Sequence, residues 1–301
     1  MTSATPPGAW RRLWKNPVAL VSAGILCIVA CAAIFGPMIY RVDPHATSAA
    51  QEIAPCSAHL FGTDINGRDV FARVLEGARI SLLVGLSGAF VSFFIGTAYG
   101  LVSGYVGGRT DSAMMRLVEV LYAIPRLIII IIASFIFDPM LKARLAGVAN
   151  GALVGYTKII ILILSLGLIE WLTMARIVRG QVLSLKAQQF VLAARALGQS
   201  HFNIIIRHLL PNIVGIVVIY LTLTIPAVIL DESFLSFLGL GIQAPQASWG
   251  SLLSAGAQVI NPVKSYWWLL LCPALVMSIT LLALNFLGDA LRDALDPKAS
   301  H

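Results

Sequence analysis

The run from Ile80 to Tyr105 contains no charged residue, and it is one of several long apolar runs in the chain. At a rise of about 1.5 Å per residue, a helix of this length crosses a hydrocarbon core of about 30 Å. A backbone crossing lipid must satisfy its own hydrogen bonds, so repeated runs of this kind restrict the chain to an all-α integral membrane protein. Composition supports the restriction: 58% of residues are hydrophobic, 12% are charged and the mean hydropathy is +0.86, outside the range of soluble globular proteins. The formal charge of +7 needs no nucleic-acid partner, because the basic residues cluster beside apolar runs as the positive-inside rule requires.

Six transmembrane helices are predicted. The first covers 17–40, the second 80–105, the fourth 159–175, the fifth 213–230 and the sixth 266–287. In the second, Gly88, Ser92, Gly96, Gly100 and Gly104 recur every four residues and give a smooth face for close packing, within this bundle or against a partner subunit. The apolar stretch Leu127–Phe137 is too short to cross, so the third span is extended back through Leu117–Ile124 with Pro125 as a kink. Arg11, Arg12 and Lys15 precede the first span, and Arg176, Arg179, Lys186, Arg195 and Arg207 fall between the fourth and fifth. They place a 1–16 tail, a 176–212 loop and a 289–301 tail in the cytoplasm, with both termini inside and a 41–79 segment outside. Lys142, Arg144 and Lys158 lie in an external insert, 138–158, against that charge rule; a partial re-entrant helix over Met140–Val154 is one resolution. Cys27, Cys31 and Cys272 sit in apolar spans, and Ile28 to Cys31 fits a lipoprotein cleavage box, although the apolar run continues past it to Ile39.

The cytoplasmic stretch Phe190–Asn212 reads FVLAARALGQSHFNIIIRHLLPN. Ala193, Ala194 and Ala196 favour helix with little side-chain bulk, Gly198 can end it in the left-handed conformation, and Ser200 can cap a second short helix. Pro211 then suits the first turn of the fifth span. The residues alone indicate a helical hairpin on which something docks. The pattern Ala193-Ala194, Gly198 and Leu210-Pro211 resembles the cytoplasmic loop of ABC-importer permease subunits. Leu192 stands where that family has glutamate, and His208 where it has isoleucine.

Other segments resemble the peptide and nickel branch of the same family, specifically the second permease of the pair. They are Gly62-Thr63-Asp64 with Gly67-Arg68-Asp69, Glu170 to Gln181, Asp231 to Gly241 with Ser248-Trp249-Gly250, and Asn285 to Pro297. The resemblance implies a type I ABC importer permease fold, with an 80–288 core that carries the 176–212 docking loop. It also implies import of oligopeptides or dipeptides, nickel or another small solute being the alternative within the family, and location in the bacterial plasma membrane. The implied partners are a second homologous permease, two ATP-binding subunits, an external substrate-binding protein and the lipid bilayer.

The resemblance places ATPase docking on Ala193, Ala194, Ala196, Gly198, Leu210 and Pro211. It binds ATP and Mg2+ to the partner subunits, with no cofactor on this chain. No lysine lies in a phosphate-cradling Gly-x-x-x-x-Gly-Lys loop, and the five histidines have no metal-ligand spacing, so the chain is not expected to be an enzyme. A proton-coupled secondary transporter would place several ionisable residues at span midpoints, whereas these spans are nearly charge-free at their centres. Three acidic residues beside apolar spans are candidates for a pathway or gate. Glu170 either gates or pairs with Arg176 or a hydroxyl. Asp231 and Glu232 either attract a cationic cargo or anchor a helix end.

Overall fold

The structure, a computed structural model, describes residues 12–146, 154–260 and 264–295. Its regular elements are helices: α1 (Pro17–Ile39), α2 (Val70–Val106), α3 (Gly108–Ala123), α4 (Arg126–Leu145), α5 (Thr157–Lys186), α6 (Gln189–Ala196), α7 (His201–Ile204), α8 (Leu210–Phe237), α9 (Trp249–Gln258) and α10 (Trp267–Leu295). Five of the described helical stretches are each long and apolar enough to cross a membrane, and α3 with α4 supplies a sixth crossing when the pair counts as one span.

Close packing of α2 on α5 forms the centre. The every-fourth small residues of α2 are all buried, and three of its glycines leave no room for a Cβ against α5. A Cβ on Gly96 would lie 2.6 Å from Cβ of Met174, on Gly100 2.5 Å from the Ala175 carbonyl oxygen, and on Gly104 2.8 Å from Cβ of Val182. Gly167 returns the contact from α5, where a Cβ would lie 3.0 Å from the Gly88 carbonyl oxygen. The smooth face therefore serves this chain's own bundle, which settles the choice that the sequence left open.

These contacts rise together along both helices, so α2 and α5 run in the same direction. α8 runs against them: Tyr105 meets His201 at one end, and Gly85 meets Ile229 toward the other. α10 reverses again, with Gly288 facing Leu223, and the start of α1 lies beside Ile279 to Phe286 of α10. The first and last helices therefore bring their outer ends to the end of the bundle that carries α6. α1 is peripheral; Ala19, Ser22 and Ala33 are its buried residues, and Asn16 Oδ1 caps it by accepting from the Val18 and Ala19 backbone N–H groups at 3.0 and 3.4 Å.

Four expectations are corrected. The third span is not one kinked helix: α3 and α4 meet at 86°. Ile124 and Pro125 both adopt extended backbone, because proline crowds the preceding residue out of the helical region and carries no N–H to continue the ladder. α4 then runs past Phe137 to Leu145, so the insert begins within a helix and Met140 opens no separate re-entrant one. Residues 147–153 of that expected helix lie outside the described residues. Thirdly, α5 continues to Lys186, which puts Arg176 and Arg179 in a helix instead of a loop, and Glu170 in mid-helix instead of at its end. Finally, α8 runs through Asp231 to Phe237, past the expected end of the fifth span at Leu230.

Between α1 and α2 the chain forms a clasp. Asp64 is its hub. Its carboxylate accepts from Arg68 Nε at 2.8 Å, Arg73 Nη1 at 2.7 Å and the backbone N–H groups of Asn66 and Arg68. Asp69 caps α2 through the Ala72 N–H and also meets Tyr40 Oη and His59 Nδ1 at 2.9 and 2.8 Å. Gly62 and Gly67 both take positive φ; a Cβ on Gly67 would collide with the Ser48 carbonyl oxygen. Trp268 Nε1 donates to the Thr63 carbonyl and Tyr266 Oη to Glu52, which ties the clasp to α10. The Gly-Thr-Asp and Gly-Arg-Asp motifs thus encode a tight, internally charge-paired fold.

Candidate functional site

At the opposite end from the clasp, α6 lies across the bundle. Val191 and Ala194 point inward, into a cluster with Leu101 and Tyr105 of α2, Met174, Val178 and Val182 of α5, and Ile204, Leu209 and Ile213 along the return into α8. The helix ends in a Schellman turn: Gln199 N–H reaches the Ala194 carbonyl at 3.2 Å and Gly198 N–H the Arg195 carbonyl at 3.0 Å. Gly198 has φ +75°, and a Cβ there would meet no atom within 4 Å, so the backbone conformation alone demands glycine. Ser200 Oγ caps the next turn by accepting from Asn203 N–H at 3.3 Å.

The second helix of the expected hairpin is not a separate unit. His201 to Phe237 is one continuous helical stretch, with a wide π-type turn at Ile205–Leu209 ahead of Pro211. A proline ring collides with the carbonyl four residues before it, and the wider turn relieves that collision without breaking the helix.

The six residues expected to dock fall into two groups. Ala193, Ala196 and Gly198 are exposed on the outer side of α6, and Pro211 is exposed at the start of α8. Ala194 is buried beneath α6, and half-buried Leu210 packs against the same cluster. Those two fix the helix to the bundle. Sequence reasoning missed the largest exposed apolar groups here, Leu197 at 81% and Phe202 at 74% exposure, which flank the Gly198 turn with Leu192 at 50%. Their signal was the combination of apolar side chains with a loop position; alone, each reads as part of a helix face.

The two departures from the family pattern have different settings. Leu192 is exposed and adds apolar surface, whereas His208 Nε2 lies 2.9 Å from Gln199 Oε1 and pins the turn after Gly198. Beneath α6, Lys186 Nζ donates to the Tyr105 carbonyl, and Tyr105 Oη meets His201 Nδ1 at 2.7 Å. Close by, Arg179 makes a two-point contact with Asp111, 2.6 Å for each bond, and Ser103 Oγ donates to the same carboxylate at 2.5 Å. α2, α3 and α5 are thereby locked together under the loop.

The three acidic candidates separate as well. Glu170 and Asp231 converge on Arg126, the first residue of α4: Nη1 lies 3.5 Å from Glu170 and Nη2 3.0 Å from Asp231. Glu170 does not pair with Arg176, whose guanidinium instead stacks 3.7 Å from the Tyr122 ring centroid. A cleft of about 240 Å³ at the break between α3 and α4 is lined by Tyr122, Pro125, Arg126, Ile129, Glu170 and Thr173, among others. Arg126 is not among the site candidates read from the sequence; its two partners are distant along the chain.

Glu232 stands apart. It is fully buried and turned into the bundle, accepting from Ser236 Oγ at 2.7 Å, Ser81 Oγ at 3.0 Å and Ser233 Oγ at 3.4 Å. Ser81 Oγ in turn accepts from the Trp249 backbone N–H, and Ser236 Oγ from that of Ile242. This node joins α2, α8 and α9 and explains the serines in the 231–241 motif. Gly250 fits directly on Ser233, whose carbonyl oxygen leaves no room for a Cβ.

Residues 96–301 match the family described as binding-protein-dependent transport system inner membrane component, and residues 8–55 match the N-terminal TM domain of oligopeptide transport permease C. The chain is 45% identical over 294 residues to a dipeptide transport system permease protein of Bacillus subtilis, covering 96% of this chain and 85% of that one. It is 46% identical over 293 residues to an oligopeptide transport system permease protein of Escherichia coli, covering 96% and 90%. A dipeptide transport system permease protein of Lactococcus lactis is 33% identical over 331 residues, covering 97% and 90%. With a helical bundle, a loop helix fixed to its core and these matches along nearly its whole length, the chain belongs to the family of binding-protein-dependent transport system inner membrane components.

Proposed function

We propose that the protein is the membrane-spanning permease subunit of an ATP-driven ABC importer for oligopeptides or dipeptides. The observation that carries the substrate class is the 45–46% identity, over 96% of the chain, to permeases named for dipeptide and oligopeptide transport. The loop geometry carries the mode of action. α6 presents Leu192, Leu197 and Phe202 outward while Val191 and Ala194 root it in α2, α5 and α8. A partner that grips the outer face therefore pulls on three spans at once, as coupling between a motor and a two-state bundle requires.

In this reading two ATP-binding subunits, carrying ATP and Mg2+, drive the transporter, one of them seated on α6 from the cytoplasm. A second homologous permease completes the path across the bacterial plasma membrane, and an external binding protein delivers the peptide to the clasp side. Both termini are cytoplasmic. This chain supplies the route and the coupling element, and the hydrolysis occurs on its partners.

The test is reconstitution in liposomes with a second permease, ATPases and a binding protein from the same organism. ATP-dependent uptake of a labelled tripeptide is the expected outcome. ATP-dependent uptake of nickel without peptide would overturn the substrate class, and uptake driven by a proton gradient without ATP would overturn the mechanism.

A further inference from the structure

We propose that Arg126, Glu170 and Asp231 form a contact site in the translocation path for the protonated amino terminus of the peptide cargo. The proposal rests on the peptide-permease reading above. Its basis is a contrast among the charged nodes of the molecule. Asp111 has Arg179 in two-point contact plus Ser103, Asp64 has four donors, and Glu232 has three serine hydroxyls. In each of these three nodes both carboxylate oxygens find a donor, as buried structural charges require, although Arg73 Nε beside Asp64 has no partner.

At the Arg126 node a carboxylate oxygen goes without a donor, as Glu76 Oε2 does on α2. One guanidinium serves two carboxylates through one contact each, the longer at 3.5 Å. Asp231 is 6% exposed, yet its Oδ2 has no hydrogen-bond partner. With both acids ionised these three side chains carry one positive and two negative charges, and the exposed Arg176 stacked on Tyr122 adds a second positive one nearby; ionisable groups among membrane-spanning helices are costly unless a function retains them. An alkylammonium group supplies N–H donors, three of them, of the kind that the unpartnered Asp231 Oδ2 lacks.

The surroundings fit a peptide. The cleft beside Arg126 and Glu170 has apolar walls from Leu121, Ile129, Ile169 and Leu172. It opens at a break between helices, where the last carbonyls of α3 have no intrahelical partners and can accept from peptide N–H groups. Interrupted spans with unpaired backbone and a nearby charge are where transporters hold cargo, because irregular backbone is tolerated in a membrane only where it lines a cavity. Tyr122 and Thr173, whose hydroxyl oxygens lie 2.5 Å apart, line one side of this cleft, and Arg176 stacks on the Tyr122 ring.

The test uses the complete transporter in liposomes, with p-benzoylphenylalanine replacing Ile129 in the cleft wall and radiolabelled trialanine as cargo. Light-dependent capture of the peptide on this chain during ATP-driven uptake is expected. Capture per assembled complex should fall about tenfold in Asp231→Asn and in Glu170→Gln, the loss of one charge-assisted contact, and should be retained in Asp231→Glu. Undiminished capture in both neutral variants, no recovery in Asp231→Glu, or uptake without capture at position 129 would overturn the site. If the unsubstituted transporter takes up no peptide with ATP, the peptide reading itself fails, and that result is distinct from the others.

Discussion

At the residue scale the α2–α5 contact is governed by what is missing from it. Gly100 sits so close to α5 that a methyl group would lie 2.5 Å from the Ala175 carbonyl oxygen and 2.7 Å from Cβ of Val178. Neither atom is the end of a flexible chain, so Gly100→Ala must separate two helix backbones. A loss of about 1–3 kcal/mol is expected, the usual range for overpacking. Gly180, also helical, has no atom within 4 Å of a Cβ position, so Gly180→Ala should stabilise its helix by up to about 1 kcal/mol. Thermal unfolding of the two variants in detergent should shift in opposite directions. The every-fourth spacing made this face legible in the sequence, because small residues at that period lie on one stripe. Which helix it meets was not legible: a small stripe specifies a short distance, not a neighbour.

At the element scale, two segments hold their shape by different means. The clasp depends on Asp64, and Asp64→Ala would strand Arg73, whose side chain is 7% exposed, without its partner. Breaking a buried pair from one side costs about 3–5 kcal/mol. Protease sensitivity between Tyr40 and Val70 should therefore rise in the purified variant, while α2 to α10 remain folded. The loop helix depends instead on one backbone conformation. Gly198→Val places a β-branched residue at φ +75° and should disorganise the Schellman turn. ATP-driven uptake is expected to be lost with the chain still inserted in the membrane. Leu197→Glu, which leaves the turn intact and removes only exposed apolar surface, should weaken co-purification of the ATPase subunits. Unaltered co-purification in Leu197→Glu would show that the partner does not grip this face.

The limits of the sequence reading are also clearest at this scale. Hydropathy marks where the hydrocarbon-compatible residues end, and it placed the ends of the fourth and fifth spans near Ala175 and Leu230. The helices continue to Lys186 and Phe237, because backbone hydrogen bonds and packing, not lipid, decide where a helix stops. Pro125 was read as a kink within one span, but it separates two helices that meet at 86°. A proline forbids the straight path and leaves the new direction to long-range packing. The Arg126 cluster was half visible for the same reason: two acidic residues stood out in apolar surroundings, while the cation between them comes from a helix whose course sequence could not fix.

At the scale of the whole molecule, the order of crossings makes a statement that the membrane can check. Tyr40 and Val70 flank the clasp at one end of the bundle, whereas α6 and the outer ends of α1 and α10 gather at the other. If both termini are cytoplasmic, the clasp must be external and the loop internal. The native thiols offer a probe. Cys56 is exposed on the clasp, while Cys27, Cys31 and Cys272 lie within the apolar helices α1 and α10, where lipid protects a thiol from a charged reagent. A membrane-impermeant maleimide applied to intact spheroplasts should therefore label the native chain, and Cys56→Ser should abolish that labelling. Placing a cysteine at Gln188, the cap residue of α6, in the Cys56→Ser background should give labelling only after the membrane is opened. Labelling of position 188 from outside would invert the molecule. The proposed ATP-binding partners could not then reach α6, so the coupling role proposed for Leu192, Leu197 and Phe202 would fall with the orientation, while the helix packing would stand unchanged.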